Sequence, residues 1–307
     1  MSELVNKIDQ VLSSNYWYFA FHEGEPCPRT LLAALKEKLP HIQAESWQER
    51  LEFGGVYING LSITNDVRIC SPCKIEYYEP KYDYKNAEKF FPEFDPQQIV
   101  FKDDYIIAYY KPVGLPSIPT KEQARYNLRS YLQNEFNSSV HLPSRLDVST
   151  GGLIVASVNH ETHNELQKAF ESRDVDKRYL LETSEHVAWQ EKTEDSSIGR
   201  DPIHRVLRKA VNTGGKTAKT IFSLVKHQKY NDNDSSLIEA KPITGRTHQI
   251  RVHTKEVSTA IIGDMFYGGV KANYLRLLSY SLEFPHPKTK ERLKISIPDS
   301  LLPIWAK

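Results

Sequence analysis

The chain is poor in the residues that staple small secreted scaffolds: of 307 residues only three are cysteine, Cys27, Cys70 and Cys73, and two are methionine. An odd count of three cannot build a disulfide framework and suits a reducing compartment. The one close pair, Cys70 and Cys73, has neither a second pair nor a nearby histidine pair to complete the roughly four ligands of a zinc site. No metal is therefore expected, and the thiols read as ordinary buried groups near a strand. No apolar run approaches the ~18 residues that span a bilayer. Residues 1–14 offer neither the cationic front nor the apolar core of an export signal. Residence in the cytoplasm, away from membranes, is the expectation. Net charge is also nearly absent, since 40 cations against 39 anions leave +1, which excludes a surface that clings indiscriminately to phosphate. No internal repeat of about 20–50 residues is visible.

What is present describes a globular chain. The hydrophobic fraction of 39%, with 12 Phe and 17 Tyr, supplies enough apolar surface to offset the entropy of ordering. At about 150 residues per domain the length suggests two folded units. The reading that follows is a small N-terminal domain over residues 1–80, a linker over 81–98 and a larger domain over 99–307. In the first, Leu31 to Leu39 has helical apolar spacing, and Val56 to Ile63 reads as two strands about an Asn59-Gly60 turn. Lys74 to Tyr78 supplies a third strand. Three prolines and no periodic face mark residues 79–96 as connector. Beyond it, Ile99 to Tyr110 places two strands around Lys102, Asp103 and Asp104, and Lys111-Pro112-Val113-Gly114-Leu115-Pro116 must loop.

Charge is unevenly spread. Between Arg200 and Lys229 lie Arg200, Arg205, Arg208, Lys209, Lys216, Lys219, Lys226 and Lys229 against Asp201 alone, a local excess of seven. Such a stretch is either a solvated face or a phosphate-contacting surface.

Three stretches carry candidate chemistry. Leu153 to Val158 is nearly all apolar and suits a strand covered on both faces. Asp147 then falls in the loop just before it, with Gly151 and Gly152 permitting tight backbone. By itself Asp147 could equally close a turn with Ser149 or Thr150. A helix follows from His160 to Ser172, capped by Asn159, and Asp176 to Glu182 returns to strand character with Tyr179 in its middle. In the third stretch a strand over Leu237 to Ala240 feeds through Pro242 and Gly245 into a helix ending near Glu256. On that helix His248, Arg251 and Lys255 share one face, while Ile250 and Val257 share another.

Taken in order, Arg145-Leu146-Asp147 with Thr150 and Gly152-Leu153, then Lys177-Arg178-Tyr179, then the run from Gly245 to His253, then Gly263-Asp264 and Tyr267-Gly268, resemble the RluA-type pseudouridine synthases. Lys111 to Leu115 and the stretch from Arg276 to Pro287 extend the resemblance, which spans roughly residues 100–298. The sequence departs from the family at Ser144, where a histidine usually precedes the Arg-Leu-Asp, and at Gly151, where a serine is usual. The segment Gly55 to Gly60 also resembles the last half of the small ribosomal-protein-type RNA-binding module that many such enzymes carry. The fold so implied is α+β: a mixed, largely antiparallel sheet flanked by helices and loops, plus a small N-terminal α/β unit.

The resemblance implies isomerisation of uridine to pseudouridine in a structured RNA, ribosomal or transfer, needing no cofactor; a monomer without an obligate protein partner is the default expectation. The N-glycosidic bond breaks, the freed uracil turns, and it rejoins the same sugar through carbon. That requires a nucleophile or base and a pocket for an extruded nucleotide. Asp147 is the implied carboxylate, attacking the sugar or the ring or removing a sugar proton. A neighbouring guanidinium would hold it anionic, and Arg251 aligns with that role. Tyr179 would stack on the uracil. Arg145 would face the duplex or the vacated space, and Lys177, Arg246, His248 and Gln249 would contact RNA, the last three from a helix N-terminus. Two other classes compete. A catalytically silent RNA-binding or assembly factor would keep the surface without the chemistry. An aspartate-nucleophile hydrolase would need a second acid within about 5–10 Å of Asp147, for which Asp264 is the only obvious candidate.

Overall fold

The computed structural model describes residues 16–28, 30–80, 89–121, 123–202, 204 and 206–307. Residues 1–15, residues 81–88 of the expected linker and Arg205 thus lie outside the described residues. The first unit comprises β1 (Tyr16–Phe21), α1 (Leu31–Lys38), α2 (Trp47–Phe53), β2 (Val56–Ile58), β3 (Leu61–Ile63) and β4 (Cys73–Tyr78). Thr30 caps α1 by accepting the Ala33 amide at 3.2 Å. Asn59 and Gly60 both take positive φ, 49° and 81°, the backbone that a two-residue hairpin turn between β2 and β3 demands. The strands order as β1-β4-β2-β3, and the two helices cover the sheet with a core of Leu31, Leu35, Trp47, Leu51, Ile75 and Tyr77. The strand over Tyr16–Phe21 and the helix over Trp47–Phe53 carried no sequence expectation. The cysteines are unequal: Cys73 is buried, Cys27 half-buried and Cys70 exposed, so the expectation of ordinary buried thiols fails for Cys70.

The second unit contains β5 (Ile99–Lys102), β6 (Ile106–Lys111), α3 (Leu128–Phe136), β7 (Gly151–Ser157), α4 (His160–Glu171), β8 (Asp176–Thr183), β9 (Glu191–Glu194), β10 (Ser197–Arg200), β11 (Arg208–Val211), β12 (Thr220–Tyr230), β13 (Asn233–Pro242), α5 (Gln249–Val257), β14 (Leu277–Pro285) and β15 (Arg292–Ser296). Its large sheet runs β5-β6-β7-β14-β8-β13-β12-β9, with β15 joined to β14. All pairings are antiparallel except β7 with β14. The architecture is thus α+β with a mixed, largely antiparallel sheet. Every residue of β7 is buried. Leu153 and Val155 enter a core with Leu166 of α4, Leu180 and Phe284, while Ile154 and Ala156 enter another with Tyr109, Leu128 and Leu132. This is why the strand reads as a continuous apolar run rather than an alternation.

The parallel contact is short, Leu278 opposite Gly151 and Ser279 opposite Gly152. Beyond it β14 exchanges β7 for β15, pairing Ser281 to Pro285 with Arg292 to Ser296. Gly152 makes the close approach possible: its φ is +109°, and a Cβ there would lie 2.2 Å from the Ser279 carbonyl oxygen. Since the obstruction is backbone, no rotamer relieves it. Gly152→Ala is expected to destabilise the protein by about 3 kcal/mol or more, combining a disfavoured φ with overpacking. Urea denaturation checks this, and a midpoint unchanged from wild type contradicts it.

Candidate active site

The loop before β7 is pinned from three sides. The Gly114 amide donates to the Val148 carbonyl at 2.8 Å, and the Thr150 amide to the Asp147 carbonyl at 3.0 Å. Ser117 grips Leu146 twice: its hydroxyl donates to the Leu146 carbonyl at 2.8 Å and accepts the Leu146 amide at 3.1 Å. Asp147 is therefore held by backbone on both sides while its carboxylate stays 37% exposed.

Facing it is α5, whose first six residues, Gln249 to Thr254, are all buried. The sequence expectation of a cationic face opposed to a buried one is corrected in part here: of that face, Arg251 and the His248 side chain are interior, while Lys255 is exposed. Arg251 satisfies its guanidinium with a buried acid. Its Nε donates to Oδ2 of Asp264 at 2.7 Å and its Nη2 to Oδ1 at 2.6 Å, and its side chain is 4% exposed. The remaining nitrogen, Nη1, lies 3.5 Å from Oδ2 of Asp147. Burial alone would work against the charge, but the hydrogen-bonded Asp264 outweighs it and raises the arginine pKa. The guanidinium also sits 5.0 Å from the Phe266 ring centre and 5.1 Å from that of Tyr267.

Tyr179 lies on the α5 side of β8, half-buried against Leu181, Phe222 and Ile250. Burial and then the nearby Asp147 charge push its phenol up, to about 12, despite a hydrogen bond with Ser279. It is uncharged at neutral pH and within the field of the carboxylate. His248 takes left-handed backbone at the start of α5, φ 58°. Its Nε2 is 3.8 Å from Oδ2 of Asp147, and burial drives its pKa down to about 4. Asp147, Tyr179 and Arg251 are thus brought together, with His248 beside them.

The other expected contacts are dispersed. Arg145 is exposed. Arg246 donates from Nε to the Thr217 carbonyl at 3.0 Å. Gln249 has its amide fully engaged, accepting from Thr244 and the Arg246 amide and donating to the Lys219 carbonyl and Thr220. It shapes the turn into α5. Lys177 is drawn over the Phe170 ring at 4.9 Å, where burial lowers its pKa. Sequence reasoning overlooked three groups. Asp264, offered above only as a possible second acid, is the principal partner of Arg251. Ser117 clamps the loop. Lys111 is fully buried with its ammonium on the carbonyls of Leu115 and Pro112 at 2.7 and 3.1 Å. The Lys-Pro-Val-Gly-Leu motif was the available signal for the last.

The occupied carboxylate of Asp264 bears on the hydrolase alternative. Both of its oxygens serve Arg251, so it is not disposed as a second acid. Among the described residues no group of three or more His, Cys, Asp or Glu is placed to hold a metal ion.

A family model described as RNA pseudouridylate synthase matches residues 105–256. The dual-specificity RNA pseudouridine synthase RluA of Vibrio parahaemolyticus is 34% identical over 222 residues, covering 70% of this chain and 88% of that protein. Its namesake in Escherichia coli O6:H1 is 32% identical, covering 65% of this chain and 92% of its own length. Among solved structures, the human RNA pseudouridylate synthase domain containing 1 superposes with a TM-score of 0.59 at 24% identity, over 69% of this chain and 88% of that one.

Two outcomes follow from the site. Asp264→Ala leaves the Arg251 guanidinium buried without its main partner, an error that costs about 3–5 kcal/mol; a thermal melt within a degree or two of wild type would contradict this. Burial pulls the Lys111 ammonium from 10.5 down to about 7, against the opposing pull of Asp147. Between those values the unfolded chain binds the extra proton, so stability rises with pH across that window. In Lys111→Met the rise is lost, and urea midpoints of the two proteins at about pH 7 and about pH 9.5 measure it; parallel changes in both would contradict the assignment.

Proposed function

The chain belongs to the RluA-type RNA pseudouridine synthases, isomerases of RNA uridines, and on that premise we propose that Asp147 supplies the reacting carboxylate, oriented by Arg251, with Tyr179 against the extruded uracil. The observation that carries the proposal is the division of one guanidinium: two nitrogens fixed on buried Asp264, the third 3.5 Å from the partly exposed Asp147. A cation so anchored faces the carboxylate in a fixed position and does not need to reorganise as charge moves.

Tyr179 offers a flat ring for a flipped base to stack on. Its high pKa keeps it a hydrogen-bond donor rather than an anion that would repel Asp147. His248, its side chain only 7% exposed, belongs behind the carboxylate, whereas Lys177, Arg145 and Arg246 are assigned to the RNA-facing rim, Arg145 nearest the reacting loop in sequence. Gln249 is assigned there only through the turn it stabilises. The substrate is a structured RNA, ribosomal or transfer; the relatives named above are dual-specificity RNA synthases. The catalytic work belongs to residues 99–307, with 1–80 a small RNA-binding-like unit and 81–98 the joint. The enzyme acts as a cytoplasmic monomer without an obligate protein partner. Among the described residues no helix is long and apolar enough to cross a membrane.

The experiment is release of tritium from RNA carrying [5-³H]uracil, since the ring hydrogen at C5 is lost when that carbon joins the sugar. Asp147→Asn is expected to lower the single-turnover rate by about 10⁴-fold or more while RNA affinity stays within about threefold. Arg251→Met should slow turnover severely as well. An Asp147→Asn enzyme within about tenfold of wild type would overturn the assignment.

A further inference from the structure

One hydrogen-bond chain behind the carboxylate is not used by the reaction as described above. The Arg208 amide can only donate, and it meets the Tyr267 hydroxyl oxygen at 3.1 Å. That oxygen, 2.7 Å from His248 Nδ1, has one proton of its own to give. Burial raises the Tyr267 pKa and keeps the phenol protonated. With one lone pair taken by Arg208, the arrangement that gives the hydroxyl's own proton an acceptor has it donating to Nδ1, the unprotonated ring nitrogen in that arrangement. The proton of a neutral imidazole then sits on Nε2.

The ring is neutral at physiological pH. Its burial disfavours charge, Arg251 and Arg208 add repulsion, and the opposing carboxylates of Asp147 and Asp264 do not compensate. Nε2 faces Oδ2 of Asp147 at 3.8 Å, the same oxygen that Nη1 of Arg251 approaches at 3.5 Å. Both separations lie just beyond a formed hydrogen bond, as is common before a substrate closes a site. A small turn of the half-exposed carboxylate would complete both.

We propose that His248 is a positioning residue, a neutral imidazole whose proton Tyr267 fixes on Nε2, and that with Arg251 it holds Oδ2 of Asp147 and leaves the other carboxylate oxygen for the substrate. A neutral donor orients the carboxylate without adding a second cation that would quench its nucleophilicity. The left-handed backbone of His248 supports this reading, because a non-glycine residue in that conformation carries a cost that persists where surroundings over-determine it.

The test uses the full chain labelled with ¹⁵N in its histidine rings. Two-bond ¹H–¹⁵N correlation spectra at neutral pH, with His248 assigned by its loss in His248→Asn, should show the proton on Nε2 alone. In Tyr267→Phe the same ring should become a mixture of tautomers. Asparagine is favoured in left-handed backbone, so His248→Asn keeps the fold, but its short amide cannot reach Asp147. Its kcat should fall about 10- to 100-fold with KM within about twofold. His248→Gln returns an N–H near the Nε2 position and should recover to within about fivefold of wild type. A ring protonated on Nδ1 or on both nitrogens would overturn the proposal. So would an unchanged tautomer in Tyr267→Phe, a His248→Asn enzyme with wild-type kcat, or a glutamine variant as slow as the asparagine one. The kinetic arm rests on Asp147 being the reacting carboxylate. The spectra do not, so an active Asp147→Asn enzyme would sink that reading while the tautomer still decides the hydrogen-bond chain.

Discussion

One guanidinium organises the site around Asp147. Arg251 presents a rigid fork of donors, and the fold gives two of its nitrogens to Asp264 and turns the third toward Asp147. An isolated buried cation is expensive, so the arginine can stand behind the reacting loop only because a second carboxylate is interred with it. Asp264 owes its place to a compact turn: Gly263 adopts φ +82°, and a Cβ there would lie 2.1 Å from the Tyr274 carbonyl oxygen. The Phe266 amide adds a further donor to the carboxylate at 3.2 Å. The paired carboxylate offsets the cost of burying the cation and aims it.

The sheet supplies the opposite wall. Where β7 and β14 run parallel at Gly152 and Ser279, the chain entering β7 is forced close to β8, which pairs with β14 on its other edge. Asp147 leads into one strand and Tyr179 sits in the next but one, so the irregular junction puts the carboxylate and the ring within each other's electrostatic reach. The clamp of Ser117 on Leu146 and the bond from Gly114 to Val148 then limit how far the loop can wander. The segment following Lys111 thus braces the loop that carries Asp147, which gives a physical role to the motif.

Much of this was legible beforehand. The continuous apolar run of β7, the Asn59-Gly60 hairpin, the Asn159 cap of α4, which accepts the Glu161 amide at 2.9 Å, and the convergence of Asp147, Tyr179 and Arg251 all follow from local pattern or from the ordered motifs. What escaped has a common cause. Asp264 pairs with a residue thirteen positions away across a turn, Ser117 with a backbone twenty-nine positions away, and no periodicity reports such partnerships. The buried polar side of α5 misled for a related reason: cations on a helix face read as solvated unless the acids that accompany them inside are already known. Gln249 looked like an open amide for RNA because its four partners, on Thr244, Arg246, Lys219 and Thr220, come from two other segments of chain.

The central claim is that Asp264 acts on the reaction only by aiming Arg251. The most direct measurement is a double-mutant cycle on the single-turnover rate of pseudouridine formation with Asp264→Asn, Arg251→Lys and the two combined. If the pair is one device, the combined variant is no slower than the slower single variant, the losses being shared. Losses that multiply would mean that the two residues act independently, and the account built on one divided guanidinium would be contradicted.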